Sequence, residues 1–226
     1  MTSPQSVRRR GRPAAPLLSR QQITEAAVGI IRTKGYPALT MAALAAHLRV
    51  APSALYNHVS SKRELLRWIQ DLVNESIDCS AFGVEPWDVA LERWARSYRD
   101  AYVRHAALVP VMAVTPIAGS PHTVAMYEQV AAGLRDGGWP PERVMDAIVA
   151  VESFVLGSAM DATAPADIFD VVDDDAPALA ELVPARGEGD HAAEAFELGL
   201  TALLDGMRAR MAATSADAGR KAGDNR

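Results

Sequence analysis

One cysteine, Cys79, stands in 226 residues, so no disulfide can form within the chain. No charged segment leads into an apolar run at the start, and no apolar stretch approaches the roughly 18 residues of a membrane-spanning helix. A cytoplasmic protein with no membrane partner is expected. Aromatic residues make up only 6% of the chain, whereas hydrophobic residues make up 49% and are heavy in Ala and Leu. That balance favours helices over pleated sheet, and the expected fold is all-α. Signatures of catalysis are scarce as well. There is no Gly-rich phosphate loop and no nucleophile elbow, and His47, His58, His105, His122 and His191 show no short metal-ligand spacing. Neither an enzyme nor a cofactor or metal is expected.

What is present is a charge asymmetry hidden in the net charge of -5. Residues 1–70 hold 11 Lys or Arg against two acids, Glu25 and Glu64, and so carry +9; the remainder holds 12 against 26 and carries -14. A small basic module on a larger acidic body points to nucleic acid at one end of the molecule only.

The first 18 residues form a Pro-containing basic arm with Arg8, Arg9, Arg10 and Arg12 and no apolar periodicity, so disorder is expected there. Ser19 with Gln22 makes a capping box, followed by Ile23, Ala26, Ala27, Ile30 and Ile31 at helical spacing and a stop at Gly35. Thr40 caps a second helix that buries Leu44, Ala45 and Leu48. After a short break Pro52 opens a third helix, to about Val59, at the position where proline costs least. Ser61 with Glu64 reads as a second capping box, starting an amphipathic helix over 61–78 that joins the module to the body. The spacing predicts further helices at 86–105, 106–114, 120–136, 140–161 and 191–212, with a short helix possible in "APALAELV" and a disordered tail over 214–226. Boundaries at 19–65 for the module and 79–213 for the body follow.

Two short helices separated by a three-residue break form the pattern of a helix-turn-helix, whose second helix enters the major groove of DNA. With Leu55 and Val59 inward, 100° per residue puts Ser53 and Asn57 on the far side, flanked by Ala54 and Tyr56, with His58 nearer the core edge. These types suit the task. Asn bonds an adenine edge in two places, Ser bonds base or phosphate, Ala touches the thymine methyl, and the Tyr hydroxyl fits a phosphate oxygen. Lys62 and Thr40 open helices whose free amides favour an anion.

The run "LTMAALAAHLRVAPSALYNHVSSKRELL", Leu39 to Leu66, resembles the DNA-binding module of the TetR family of bacterial repressors. That resemblance implies that Thr40, Met41, Ser53, Tyr56, Asn57, His58 and Lys62 face double-stranded operator DNA, and that the arginines of the arm lie in the minor groove or merely add nonspecific affinity. It departs at Arg49, where the family usually has Gly. A left-handed turn residue there would cost about 1 kcal/mol, unless the turn differs or a phosphate contact offsets it.

In the acidic body, the helix at 140–161 is apolar on nearly all sides, and the last helix carries Phe196, Leu200, Leu203 and Met207 in one stripe. The resemblance implies a homodimer through these two helices, with Val151, Val155, Phe196, Leu200, Leu203 and Met207 at its interface; the alternative is that they complete the core of one subunit. Trp94, Tyr98 and Tyr102 recur at i, i+4 and i+8 with His105 next on the same face, and Met112, Tyr127 and Phe154 lie on later helices. They form either a small-molecule effector pocket, as the resemblance implies, or plain core. The Asp173, Asp174 and Asp175 run reads as a solvated connector or a cation site, and Glu152 as a functional acid or an arginine partner. Together these features predict a dimeric repressor released from a palindromic operator by a small molecule that shifts its population of geometries. The alternative is an effector-independent dimeric DNA-binding protein.

Overall fold

Ser19 begins the ordered helices with a complete capping box: the Gln22 amide donates to Ser19 Oγ at 3.2 Å and the Ser19 amide to Gln22 Oε1 at 3.0 Å. In the computed structural model, which describes residues 18–169 and 176–223, every regular element among the described residues is helical. Arg8, Arg9, Arg10, Arg12 and the Asp173–Asp175 run lie outside the described residues. The basic module comprises α1 (Arg20–Lys34), α2 (Met41–His47), α3 (Pro52–Tyr56) and the start of α4 (Lys62–Asn74). Its centre is Ile23, Ala27 and Ile31 of α1, Leu39 and Leu44 around α2, Leu55 and Val59 around α3, and Leu65 and Ile69 of α4, all closed to solvent. Each larger side chain among them contributes roughly 2 kcal/mol relative to exposure, enough to hold helices as short as α3 that would not persist alone.

The cap on α4 departs from expectation. The Glu64 amide donates to Ser61 Oγ at 3.1 Å, but the Glu64 carboxylate reaches past Ser61 to the Ser60 amide at 2.8 Å and the Ser60 hydroxyl at 2.6 Å. These bonds from Ser60 hold the Glu64 carboxyl below the usual carboxylate range. α4 also ends at Asn74 rather than 78, although Ile77 beyond it is still buried.

The body follows as α5 (Trp87–Val103), a 3-10 turn (Ala106–Leu108), α6 (Val109–Met112), α7 (Pro121–Asp136), α8 (Pro141–Asp161), α9 (Pro177–Ala185) and α10 (His191–Gly223). Proline occupies the first helical position of α7, α8 and α9, where its missing amide has no intrahelical partner to lose. α5 runs through the middle, against α8 on one side and α4, α7 and α10 around it. α10 continues past Ala213 to Gly223, through an Ala-rich stretch with no proline to stop it. Arg208 of α10 bonds Asp88 of α5 at 2.7 Å, and Arg96 of α5 pairs with Glu197 of α10. No helix among the described residues is long and apolar enough to cross a membrane.

α4 joins the two parts through a buried polar row that the amphipathic reading of the helix did not include: Gln70, Asp71 and Asn74 are each at most 5% exposed. The Asp71 carboxylate accepts the first free amides of α7, from His122 at 2.8 Å and Thr123 at 3.1 Å, and meets Arg20 of α1 at 3.4 Å. It thereby caps a helix of the body from a helix shared with the module. Asn74 donates to Thr123 Oγ1 at 3.1 Å and accepts from the Tyr102 hydroxyl at 2.9 Å, while Gln70 donates to the Thr115 carbonyl at 3.2 Å. Replacing Asp71 by Ala leaves two helix-terminal amides without an acceptor, and urea denaturation should show a loss of about 2 kcal/mol.

Candidate nucleic-acid interface and effector groove

Between α2 and α3 the chain turns through a Schellman motif: the Val50 amide donates to the Ala45 carbonyl at 3.0 Å and the Arg49 amide to the Ala46 carbonyl at 3.1 Å. This closure needs a left-handed residue, and Arg49 supplies it with φ 57°, the only described residue other than glycine with positive φ. The turn is therefore not altered to suit a side chain with a Cβ. The Arg49 side chain is exposed and bonds no described residue.

Beyond the turn, Leu55 and Val59 anchor the second helix in the core, and Ser53, Tyr56, Asn57 and His58 are exposed, Tyr56 by 51%. Ala54 and Met41 are half-buried beside them. His58 lies further out than helical spacing placed it, because α3 ends at Tyr56 and the chain tightens, with the His58 amide bonding the Leu55 carbonyl at 2.9 Å. Thr40 caps α2 by accepting the Ala43 amide at 3.0 Å, which leaves its hydroxyl proton for another acceptor. Lys62, the first residue of α4, holds its Nζ 4.1 Å from the centroid of the Tyr36 ring. That cation-π contact, which the sequence pattern did not indicate, keeps the ammonium at the helix start.

In the body, the aromatic stripe of α5 is core. Trp94 packs edge against face with Tyr98, centroids 5.3 Å apart, Tyr102 lies tilted against Tyr98 at 5.0 Å, and all three are closed to solvent. Met112 is buried with them. Tyr98 and Tyr127 converge on Glu152 of α8, donating to its Oε1 at 2.8 and 2.5 Å. Burial, and after it the neighbouring Glu152 carboxylate, pushes the Tyr127 hydroxyl far above its usual value, so it stays a donor at neutral pH. Among the described residues Glu152 thus pairs with tyrosines and not with an arginine. It stands on the wall of an open groove of about 430 Å³ between α6 and α8.

Two residues expected at this cluster lie elsewhere. Phe154, two positions along α8, turns toward α10 and stacks on Phe196 at 5.5 Å, filling the space beside Gly199. His105 lines a separate cleft with Val28, Ile31 and Arg32 of α1, where burial, then Arg104 and Arg32, lower its pKa. Of the six residues expected at a dimer interface, Val151, Val155, Phe196, Leu200 and Met207 are buried within one subunit and Leu203 is half-buried. They lie in the core, and Leu204, not Leu203, is buried along with Leu200. The opposite faces are open: Ala150, Ser153 and Gly157 on α8 are exposed, as are Thr201, Ala202 and Leu198 on α10, the last by 76%.

A short helix pair with a left-handed turn and a polar outer row, joined through α4 to a larger helical body with an open groove, defines a two-part regulator that reads DNA at one end. Residues 23–69 match the family of bacterial regulatory proteins designated tetR, and residues 82–211 match the tetracyclin repressor-like C-terminal domain. The chain belongs to this family of transcriptional regulators and is not an enzyme. Members bind operator DNA as dimers and respond to small molecules. The chain is 33% identical over 153 residues to the HTH-type transcriptional repressor DrrR1 of Streptomyces coeruleorubidus, a match that covers 67% of this chain and 56% of that relative. It is 30% identical over 206 residues, 86% of each chain, to an HTH-type transcriptional regulator of Saccharopolyspora erythraea. Among solved structures it resembles the TetR family protein ActR of Streptomyces coelicolor in complex with (S)-DNPA, with a TM-score of 0.68, 25% identity, and coverage of 86% of this chain and 99% of that one.

Because Arg49 occupies a conformation that glycine adopts freely, Arg49→Gly should raise stability by about 1 kcal/mol, seen as a melting temperature about 2 to 4 °C higher.

Proposed function

We propose that this protein is a cytoplasmic repressor that binds a palindromic operator as a homodimer through residues 19–65 and is released when a small molecule occupies the body, residues 79–213. The observation that carries this reading is the exposed polar row of α3 above a fully buried Leu55 and Val59. Ser53 and Asn57 choose the sequence by bonding base edges in the major groove, with Ala54 against a thymine methyl. Thr40, Tyr56, His58 and Lys62 sit around that row and set the register on the phosphates, Met41 faces the operator beside Thr40, and Arg8, Arg9, Arg10 and Arg12 follow the minor groove. Two such helices read a palindrome together when held about 34 to 36 Å apart, one turn of DNA.

The second copy meets the open faces of α8 and α10. Gly157 and Gly206 have open space among the described residues where a side chain would stand, and both allow a second helix to approach closely. The similarity to ActR, solved with (S)-DNPA, supports a ligand site in the body. A ligand seated beside α6 presses on the helix whose last turn Gln70 of α4 holds, so a shift there reaches Lys62 at the other end of the same rigid rod. Effector and operator then weaken each other by the same factor, roughly 5 to 150 fold for a helix-coupled switch.

Binding is tested by gel shift with the DNA beside the protein's own gene. Asn57→Ala should narrow the gap between operator and mismatched DNA by roughly 1 to 3 kcal/mol, whereas Lys62→Ala should weaken all sequences alike and reduce the salt slope by about one. Uniform loss in both variants would refute the division of roles. Leu198→Arg should give monomers in sedimentation and abolish the shifted band, whereas Leu203→Ala should leave the dimer intact.

A further inference from the structure

Glu152 is a half-buried carboxylate with no cationic partner among the described residues. Both of its described bonds, from the Tyr98 and Tyr127 hydroxyls, end on Oε1, which leaves Oε2 unengaged. The groove beside it is otherwise apolar: Val109 and Pro110 of α6 form one wall, and Val149, Leu156 and Met160 of α8 the other, with Ser153 the only other polar lining residue. A carboxylate set in apolar surroundings is costly unless a positive group meets it, and the surrounding side chains offer none. Its complement is a molecule with an apolar body and a single ammonium or amidinium group.

We propose that the groove between α6 and α8 binds an amphipathic organic cation, with the charged nitrogen on Glu152 Oε2 and the apolar body against Val109, Pro110, Leu156 and Met160. This rests on the reading of the body as an effector domain and adds the charge class of the effector. The two tyrosines act as positioning residues. They are fixed as donors by burial, and they hold the carboxylate by one oxygen so that the other faces the groove.

The test uses the full-length protein, isothermal titration calorimetry and three probes of one shape: naphthylethylamine, naphthylethanol and naphthylacetate. The amine should bind about tenfold more tightly than the alcohol, and the acetate more weakly than either. Glu152→Gln keeps an oxygen for both tyrosine hydroxyls and should lower the amine to the affinity of the alcohol while leaving the alcohol unchanged. An unchanged alcohol affinity also shows that the variant is folded. Equal binding of amine and alcohol to the natural protein, or an amine preference that survives Glu152→Gln, overturns the proposal while leaving an effector groove in place. Failure of all three probes to bind overturns the groove and its charge together. If Glu152→Gln instead converts dimers to monomers in sedimentation, the partner of the carboxylate is a cation of the second copy, and the proposal falls. An intact charge preference with operator affinity unmoved by the bound amine would support the cation site and refute the reading of the body as an effector domain.

Discussion

The carboxylate of Asp71 is the point on which the arrangement of the molecule depends. An acid this deeply buried persists only if its oxygens are fully used, and they are used by two different helices. The start of α7 supplies two amides, α1 supplies Arg20, whose guanidinium also lies 5.0 Å from the centroid of the Trp68 ring, and the His122 ring approaches at 3.1 Å. None of these contacts tolerates a slide of α4 by even one residue without leaving a charge or helix-terminal amides unsatisfied. Gln70 and Asn74 extend the same constraint to the end of α6 and to Tyr102 of α5. The apolar side of α4, through Leu65, Ile69 and Val73, meanwhile belongs to the module and the adjoining core. A helix bound by packing on one side and by hydrogen bonds on the other has to move as a unit with both.

The DNA-reading end shows a different balance. Its turn is closed by two backbone hydrogen bonds that demand a left-handed residue, and an arginine is held there although a glycine would fit without strain. The strain is tolerable because Leu44, Leu55 and Val59 fix the helices on either side of it. In return the module gains an exposed guanidinium next to the proposed DNA surface, where a positive charge adds to affinity by releasing counterions.

α8 carries three tasks on three of its faces. Val144, Ile148, Val151, Val155 and Ala159 fill the core, Phe154 stacks toward α10, and Glu152 with Val149 and Met160 opens onto the groove. A helix that is apolar almost all round in sequence is thus not buried all round. Its remaining exposed side runs from Ala150 to the groove edge, where Ser153 and Gly157 also line the groove, and is built of small residues, which is what a close helix-helix contact requires.

Local rules already present in the chain determined the helical class, the helix starts at Ser19, Thr40, Pro52 and Ser61, and the outward row of Ser53 and Asn57. Caps, proline positions and a 3.6-residue period act over a few residues and need no distant partner. The glycine-like turn at Arg49 was legible in the same way, from the family pattern it departs from. Tertiary structure alone decided which face of each body helix is inward, since a period shows that a stripe exists but not what covers it. Hence Phe196, Leu200 and Met207 went to the core of one subunit, and the aromatic stripe of α5 was packed solid. It also decided the fate of the buried polar groups. The sequence pattern does not single out Asp71, Gln70 and Asn74, because their partners, at Thr115, His122, Thr123 and Tyr102, lie about thirty to fifty residues away along the chain, and only folding brings them within hydrogen-bond reach.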